Sequence, residues 1–399
     1  MTHETIRQQL LDHIRSQPRR LKNVLLIPPD ATRPHSFGGE ITAMYYEILT
    51  NQGTNVDILP ALGTHKPMTR QQQLDFFGPT IPECRFLTHN WRSGVVELGE
   101  IPQNIVREIS QGWLDVALPV EVSTHLQNDY DLIISIGQVM PHEVVGMANY
   151  TKNIVIGCGG SAFINASHML GAFYGIEKTL GEIDTPVRRL FDYAQEHFIS
   201  KLPLDYVLTV TNAGEVMELY IGKNRDIFER AVAASQAHNI TYVETPLQNC
   251  VVYLPPGEFH STWLGNKAVY RTRMAMADGG ELLVIAPGVT SFGEDVENDR
   301  LIRKYGYCGR EKIIDLCKTE SELSANLSAA AHLIHGSTDG RFNVTYAAPK
   351  LGRESVESVG YKYMDWEEAQ SIIAGLTPGM NNNGAYFIPD PGAGLWKKL

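Results

Sequence analysis

The chain has 399 residues, of which 43% are hydrophobic and 20% charged, with a formal net charge of −11. That length holds two ordinary domains, and that composition buries a sizeable core rather than leaving a disordered chain. The acidic balance and the absence of a dense Lys/Arg run exclude the basic footprint of a nucleic-acid binder.

Met1–Arg20 is polar with helical spacing and predicts an amphipathic helix; no apolar signal core follows it. Asn23–Pro28 predicts a buried strand, Glu40–Asn51 a helix, Val56–Leu59 a second strand and Met68–Phe77 another helix. Leu132–Ile136 and Ile154–Ile156 read as further strands, and Met169–Lys178 as a helix. Tyr206–Val210 and Val216–Ile221 predict a hairpin turning at Asn212-Ala213-Gly214. Ile227–Ala237 is helical, Thr241–Tyr253 is strand-rich, and Lys267–Ala277 is a helix stopped by Asp278-Gly279-Gly280. Leu282–Ala286 is a buried strand and Thr319–Leu333 a helix. Asn381-Asn382-Asn383-Gly384 is a turn. Strands separated by helices predict parallel βαβ units. The domain break is placed near residue 240, giving domains 1–240 and 241–384. The tail of about 385–399 is expected to pack back on the first. No run reaches the roughly 18 apolar residues of a membrane span. The five cysteines are odd in number, widely spaced and without a Cys-x-x-Cys pair. They read as free thiols in a reducing cytoplasm.

Ligands of open α/β sheets bind beyond the carboxyl ends of strands, so the loops there matter most. The first is Asp30-Ala31-Thr32-Arg33-Pro34. Thr and Arg near a helix start suit a phosphate or carboxylate; a surface ion pair between Asp30 and Arg33 is the commoner role. The second is Gly63-Thr64-His65-Lys66, where His65 could act as a general base or be an ordinary loop histidine. The third carries Pro141-His142, Lys152 and then His168. A lysine entering a buried run is costly unless paired or used covalently, although a strand-end lysine can also reach solvent. The Gly157-Cys158-Gly159-Gly160-Ser161-Ala162 string has the form of a dinucleotide fingerprint after a strand, with Glu177 roughly where an acidic residue belongs. A metal site would have to combine distant imidazoles such as His65, His142 and His168.

Asp30-x-Thr32-Arg33, Gly63-Thr64-His65-Lys66, Pro141-His142, Lys152, His168 and, further on, Lys267 occur in the order and approximate spacing of the nickel-dependent lactate racemase family, which this chain resembles over most of its length. The resemblance implies two α/β domains with mainly parallel sheets, a cofactor-binding first domain, and an active site in the cleft between them. It implies a nickel-pincer nucleotide, of the pyridinium-3-thioamide-5-thiocarboxylic acid mononucleotide type, joined covalently to Lys152, with His168 ligating nickel. His65 and His142 match the acid–base pair. Asp30, Thr32 and Arg33 match the segment beside cofactor and substrate, and Lys267 matches a substrate-binding lysine. The implied reaction is inversion at C2 of a 2-hydroxy acid. Hydride transfer to a cofactor avoids the carbanion that deprotonation of this weakly acidic carbon would require. One histidine takes the hydroxyl proton, and the other returns it on the opposite face. Arg33 and Lys267 would hold the carboxylate meanwhile.

Three features depart from the family pattern. Lys66 follows the loop histidine where Arg is usual, and Gly146–Thr151 precedes the linked lysine in place of a small Gly/Ser-rich stretch. Trp263 and Leu264 stand where Tyr and Gln are expected. With Asn149, Tyr150, His89 and Asn90 as further polar contacts, they point to a substrate larger than lactate, such as a sugar acid, making the reaction a 2-epimerisation. Expected partners are the small 2-hydroxy acid and cofactor-synthesis enzymes, with no membrane. An NAD-dependent dehydrogenase using the Gly157 string, a zinc-dependent hydrolase using the three histidines and a two-lobed sugar-acid binding protein are the competing readings; the last calls for an export signal.

Overall fold

Short β-branched runs become the buried strands of two sheets in a computed structural model that describes residues 1–212, 214–392 and 394–399. The chain divides into two units, one of residues 1–170 and 181–238, the other of residues 171–180 and 239–399. Both are α/β with mainly parallel strands.

In the first unit the strand order is Asn55–Ile58, Asn23–Ile27, Leu132–Gln138, Leu204–Asn212 and Glu215–Gly222. The first four are parallel, with Val24 opposite both Val56 and Leu132. The last runs antiparallel as the far arm of the predicted hairpin; Ala213 at its turn lies outside the described residues. Strands covered on both faces read as continuous apolar runs, and Leu132–Gln138 is buried at every position. The leading helix is shorter than predicted, His3–Arg15, and buries Ile6, Leu10 and Ile14 at i, i+4 spacing. Helix Arg70–Phe77 starts at a capping box between Thr69 and Gln72. An antiparallel pair, Val95–Ile101 with Leu118–Ser123, was not predicted.

The second unit carries the order Lys362–Tyr363, Asn343–Ala347, Met276–Ile285, Leu247–Tyr253, Ala385–Ile388 and Gly379–Met380, parallel except for the last pair. The tail belongs here and not on the first domain: Ala385–Ile388 pairs with the Leu247 strand, and Leu395–Lys398 pairs with Ile240–Val243.

Three element assignments change. Ile154–Ile156 is not a strand; Thr151–Val155 is a short helix, because a three-residue apolar run carries no period of its own. The Lys267 helix ends at Thr272, and Asp278-Gly279-Gly280 lies within strand Met276–Ile285. The register there jumps from Leu247–Met276 to Asn249–Glu281, so these residues form a bulge, with Gly279 at φ 77°. The Thr319–Leu333 stretch breaks into Arg310–Thr319, Ser321–Ala325 and Leu327–Gly336, the last capped by Asn326. Among the described residues no helix is long and apolar enough to cross a membrane.

Candidate active site

Strand Asn23–Ile27 delivers Asp30 just past its carboxyl end, 5% exposed. Its Oδ1 accepts the Thr32 N–H (3.0 Å) and the Thr32 hydroxyl (2.5 Å). Its Oδ2 lies 2.5 Å from His65 Nδ1. Burial pushes the Asp30 carboxyl up, but the His65 bond and charge, with Thr32 and Arg33, outweigh it and hold it below its usual value. The carboxylate therefore chooses His65 over Arg33, whose Nη1 instead bonds the Thr32 hydroxyl at 3.1 Å. An ionised acceptor makes His65 Nδ1 the protonated nitrogen, which leaves Nε2 as the basic one. His65 is 48% exposed. Its loop is tied down where the Gly63 N–H donates to Gly157 O at 2.8 Å.

His142 reaches the site on a small hairpin, Pro141–His142 paired with Gly146–Met147. Here Nδ1 accepts the Val144 N–H at 3.1 Å, so a neutral His142 carries its proton on Nε2. Burial drives its pKa well below the usual value; Lys152, Arg33 and His168 add to this, and Glu143 opposes it. The two imidazoles thus present Nε2 in opposite states, an acceptor on His65 and a donor on His142.

Lys152 sits on the helix Thr151–Val155, whose Ile154 and Val155 are fully buried. Burial first, then the positive Arg33 and Arg188, bring its amine down to about 8 against the pull of Glu143 and Asp30. A lysine so placed has a reactive neutral fraction near neutral pH. The chain enters this helix through two left-handed residues, Asn149 at φ 69° and Tyr150 at φ 58°, ψ −133°. Such backbone costs on the order of 1–3 kcal/mol per residue and needs outside support. Tyr150 stacks on Phe228 at 5.2 Å and 14°, and its hydroxyl donates to Lys223 O. Gly137 lies so close to Asn149 that a Cβ there would overlap the side-chain amide. Asn153 fixes the helix to the sheet by donating to Ile27 O (3.2 Å) and Ser135 Oγ (2.9 Å).

His168 lies well inside helix Ser161–Tyr174, not near a helix start. Its Nδ1 donates to Ile164 O at 2.6 Å, which leaves the Nε2 lone pair free. Burial and Lys152 lower its pKa. A backbone carbonyl holding the far N–H is how metal-binding imidazoles are oriented. Among the described residues no three of His, Cys, Asp and Glu gather as a metal cage. His65, His142 and His168 therefore do not form the ligand set a zinc hydrolase requires.

The Gly157 string is not a dinucleotide fingerprint. It follows a helix, not a strand, and leads directly into helix Ser161–Tyr174. A Cβ at Gly159 would overlap Val155 O, so this glycine serves a tight helix exit. Glu177 pairs with Arg273 at 2.6 Å within the second unit.

Asp30, Thr32, Arg33, His65, His142, Lys152 and His168 all belong to the first unit, and Lys267 and Trp263 to the second. Lys267 Nζ lies 3.6 Å from Glu258 Oε1, and Trp263 stacks on His332 at 4.5 Å. Three of the four residues expected to contact a longer substrate are already engaged and buried. Asn149 Oδ1 accepts the Tyr150 N–H, the Tyr150 hydroxyl bonds Lys223, and His89 Nε2 bonds Gly159 O. Only Asn90 is exposed. Sequence reasoning missed Glu143, Asn153 and Arg188. The Thr185-Pro186 start of the helix carrying Arg188 was a legible capping signal.

Residues 2–180 match the family model described as the lactate racemase N-terminal domain. Over 201 residues the chain is 27% identical to the lactate racemase of Thermoanaerobacterium thermosaccharolyticum, a match covering 48% of this chain and 44% of that enzyme. The crystal structure of a Thermotoga maritima protein superposes with a TM-score of 0.86 at 24% identity, covering 100% of this chain and 99% of that one. The lactate racemase apoprotein from T. thermosaccharolyticum gives a TM-score of 0.75 at 18% identity, covering 100% and 93%. At such identities the two structures speak for the fold.

Proposed function

We propose, from the match of residues 2–180 to the lactate racemase N-terminal domain, that this chain is an isomerase of the lactate racemase kind, inverting C2 of a 2-hydroxy acid. The observation carrying this reading is the pair of imidazoles with Nε2 in opposite proton states, in one unit with a reactive lysine and a singly anchored histidine.

His65, backed by the Asp30 carboxylate, accepts the proton of the substrate hydroxyl, and the resulting imidazolium is stabilised by that carboxylate. His142, kept neutral by burial, donates an Nε2–H hydrogen bond to the substrate oxygen, and the proton held on His65 is the one returned to that oxygen after inversion, so neither imidazole has to become an anion. Arg33 holds the substrate carboxylate, and Lys267 and Trp263 of the second unit are assigned to the substrate on the strength of the family resemblance. The residues fit a nickel-pincer nucleotide: Lys152 would hold it through its amine, His168 would ligate nickel through Nε2, and Asp30, Thr32 and Arg33 would lie beside it. When bound, this group supplies the acceptor for the C2 hydride. The reading covers 2-hydroxy acids as a class. A sugar acid now rests on Trp263, Leu264 and the exposed Asn90, since Asn149, Tyr150 and His89 are used internally.

The test is coproduction with the cofactor-synthesis enzymes, followed by intact and peptide mass spectrometry, nickel analysis and a chiral assay over lactate and longer 2-hydroxy acids. A nucleotide-sized mass on Lys152 with nickel and inversion at C2 is expected. An unmodified Lys152 with stoichiometric zinc from that coproduction would sink the proposal. Net reduction of free NAD would favour a dehydrogenase instead.

A further inference from the structure

The segment linking His142 to Lys152 is gripped by the first turn of helix Pro186–His197. Thr185 caps this helix. Its Oγ1 accepts the Arg188 N–H at 3.0 Å and donates to Val145 O at 3.2 Å. Arg188 Nη2 then donates to Met147 O at 2.6 Å and to Asn149 O at 3.3 Å. Three alternate carbonyls of one stretch, those of residues 145, 147 and 149, are thus held from a single helix end. Gly146–Met147 pairs with Pro141–His142, so the grip extends to the hairpin bearing His142. On the other side it ends at the left-handed Asn149–Tyr150 step that opens the Lys152 helix.

Arg188 is an expensive residue for this place. It is fully buried, its guanidinium lies 4.4 Å over the Phe228 ring, and its Nε and Nη1 have no partner. Among the described residues, no carboxylate is seen to neutralise it. A buried charge without a counter-ion opposes folding, and a methionine would fill similar volume without that cost. What an arginine adds is a charge-assisted donor to carbonyls whose backbone is strained. The same Phe228 ring carries Tyr150 on it, so Arg188 and the strained tyrosine share one support.

We infer that Arg188 is a positioning residue, which fixes the spacing of His142 and Lys152 by holding the Met147 and Asn149 carbonyls. Its consequence for turnover rests on the function proposed above; the grip itself does not. Loosened, the segment relaxes its left-handed step, and Lys152 leaves the orientation that Asn153 and Tyr150 impose.

The test uses the full chain in two forms. In the apoprotein, backbone hydrogen exchange is compared for wild type, R188M and R188K. R188M is expected to speed exchange of amides 147–153 by about tenfold or more while strands Leu132–Gln138 and Leu204–Asn212 keep their protection. R188K, whose shorter side chain sets its ammonium back from the position of Nη2, is expected to fall between. In the cofactor-loaded enzyme, R188M is expected to lower kcat by roughly tenfold or more with KM within about twofold, and R188K to recover part of the loss. Unchanged amides 147–153 in a folded R188M, or acceleration spread equally through both strands, would overturn the inference. So would a normal kcat despite a loosened segment. If R188M does not fold, R188K decides: exchange and kcat equal to wild type would overturn it. A wild-type protein that gains no mass on Lys152 defeats the functional proposal instead, and the apoprotein exchange pattern still judges the grip.

Discussion

His65 and His142 occupy opposite kinds of ground within one unit. His65 is half exposed on a loop after a strand and leans on an ionised Asp30. His142, with Lys152 and His168, sits where burial suppresses positive charge. A carboxylate partner fixes the proton of the first imidazole on Nδ1; desolvation and neighbouring cations lower the pKa of the second. Two residues of the same type thus present Nε2 in opposite states because of their surroundings.

The largest way to break this contrast is at its buried side. Lys152→Ala is expected to remove both the covalent attachment and all measurable inversion, read by peptide mass and chiral assay. Next come His65→Ala and His142→Ala, each expected to cut kcat by roughly 10²–10⁴-fold, the usual worth of a positioned acid or base; near-normal activity in either ends the assignment. Asp30→Asn keeps the shape but removes the charge behind His65. A loss of about 10- to 100-fold is expected, as for other groups that orient a reacting imidazole. Retention of full activity would show the pairing to be structural.

The smallest effect sharpens the comparison through stability. His142 and His168 have pKa values lowered in the folded chain, so below the ordinary histidine value the unfolded chain takes up protons that the folded one resists. Their stabilising contribution is therefore complete above about pH 6.5 and is lost as pH falls from there, by at most about 1.4 kcal/mol per pH unit for each group. Thermal melts of the apoprotein between pH 7 and 5 should show a falling Tm, and His142→Gln should flatten part of the slope. Asp30, held low, adds a further loss only below its own ordinary range. An unchanged slope in His142→Gln would mean that water reaches this imidazole freely.

The sheet of the first unit was legible because its strands are unbroken apolar runs between turn signals, as in Leu132–Gln138. The Lys152 stretch misled because three apolar residues fit a strand and a buried helix equally well. Asp278-Gly279-Gly280 carries the residues of a helix stop, yet its neighbours pair as a strand and turn it into a bulge. Local composition cannot tell these outcomes apart when the deciding hydrogen bonds come from elsewhere in the chain.

By itself the sequence determined which loops follow strands, and so put Asp30, His65 and His142 beyond the carboxyl ends of strands. Tertiary structure alone decided which nitrogen of each histidine carries the proton, and that Asp30 serves His65 and not Arg33. It also decided that a buried Arg188 holds the stretch between His142 and Lys152. The proton of His65 and the support of the Lys152 stretch depend on partners 35 and 41 residues away, while His142 and His168 meet nearby Val144 and Ile164 through the folded backbone. Those are properties of the packed chain, and no local pattern of residues carries them.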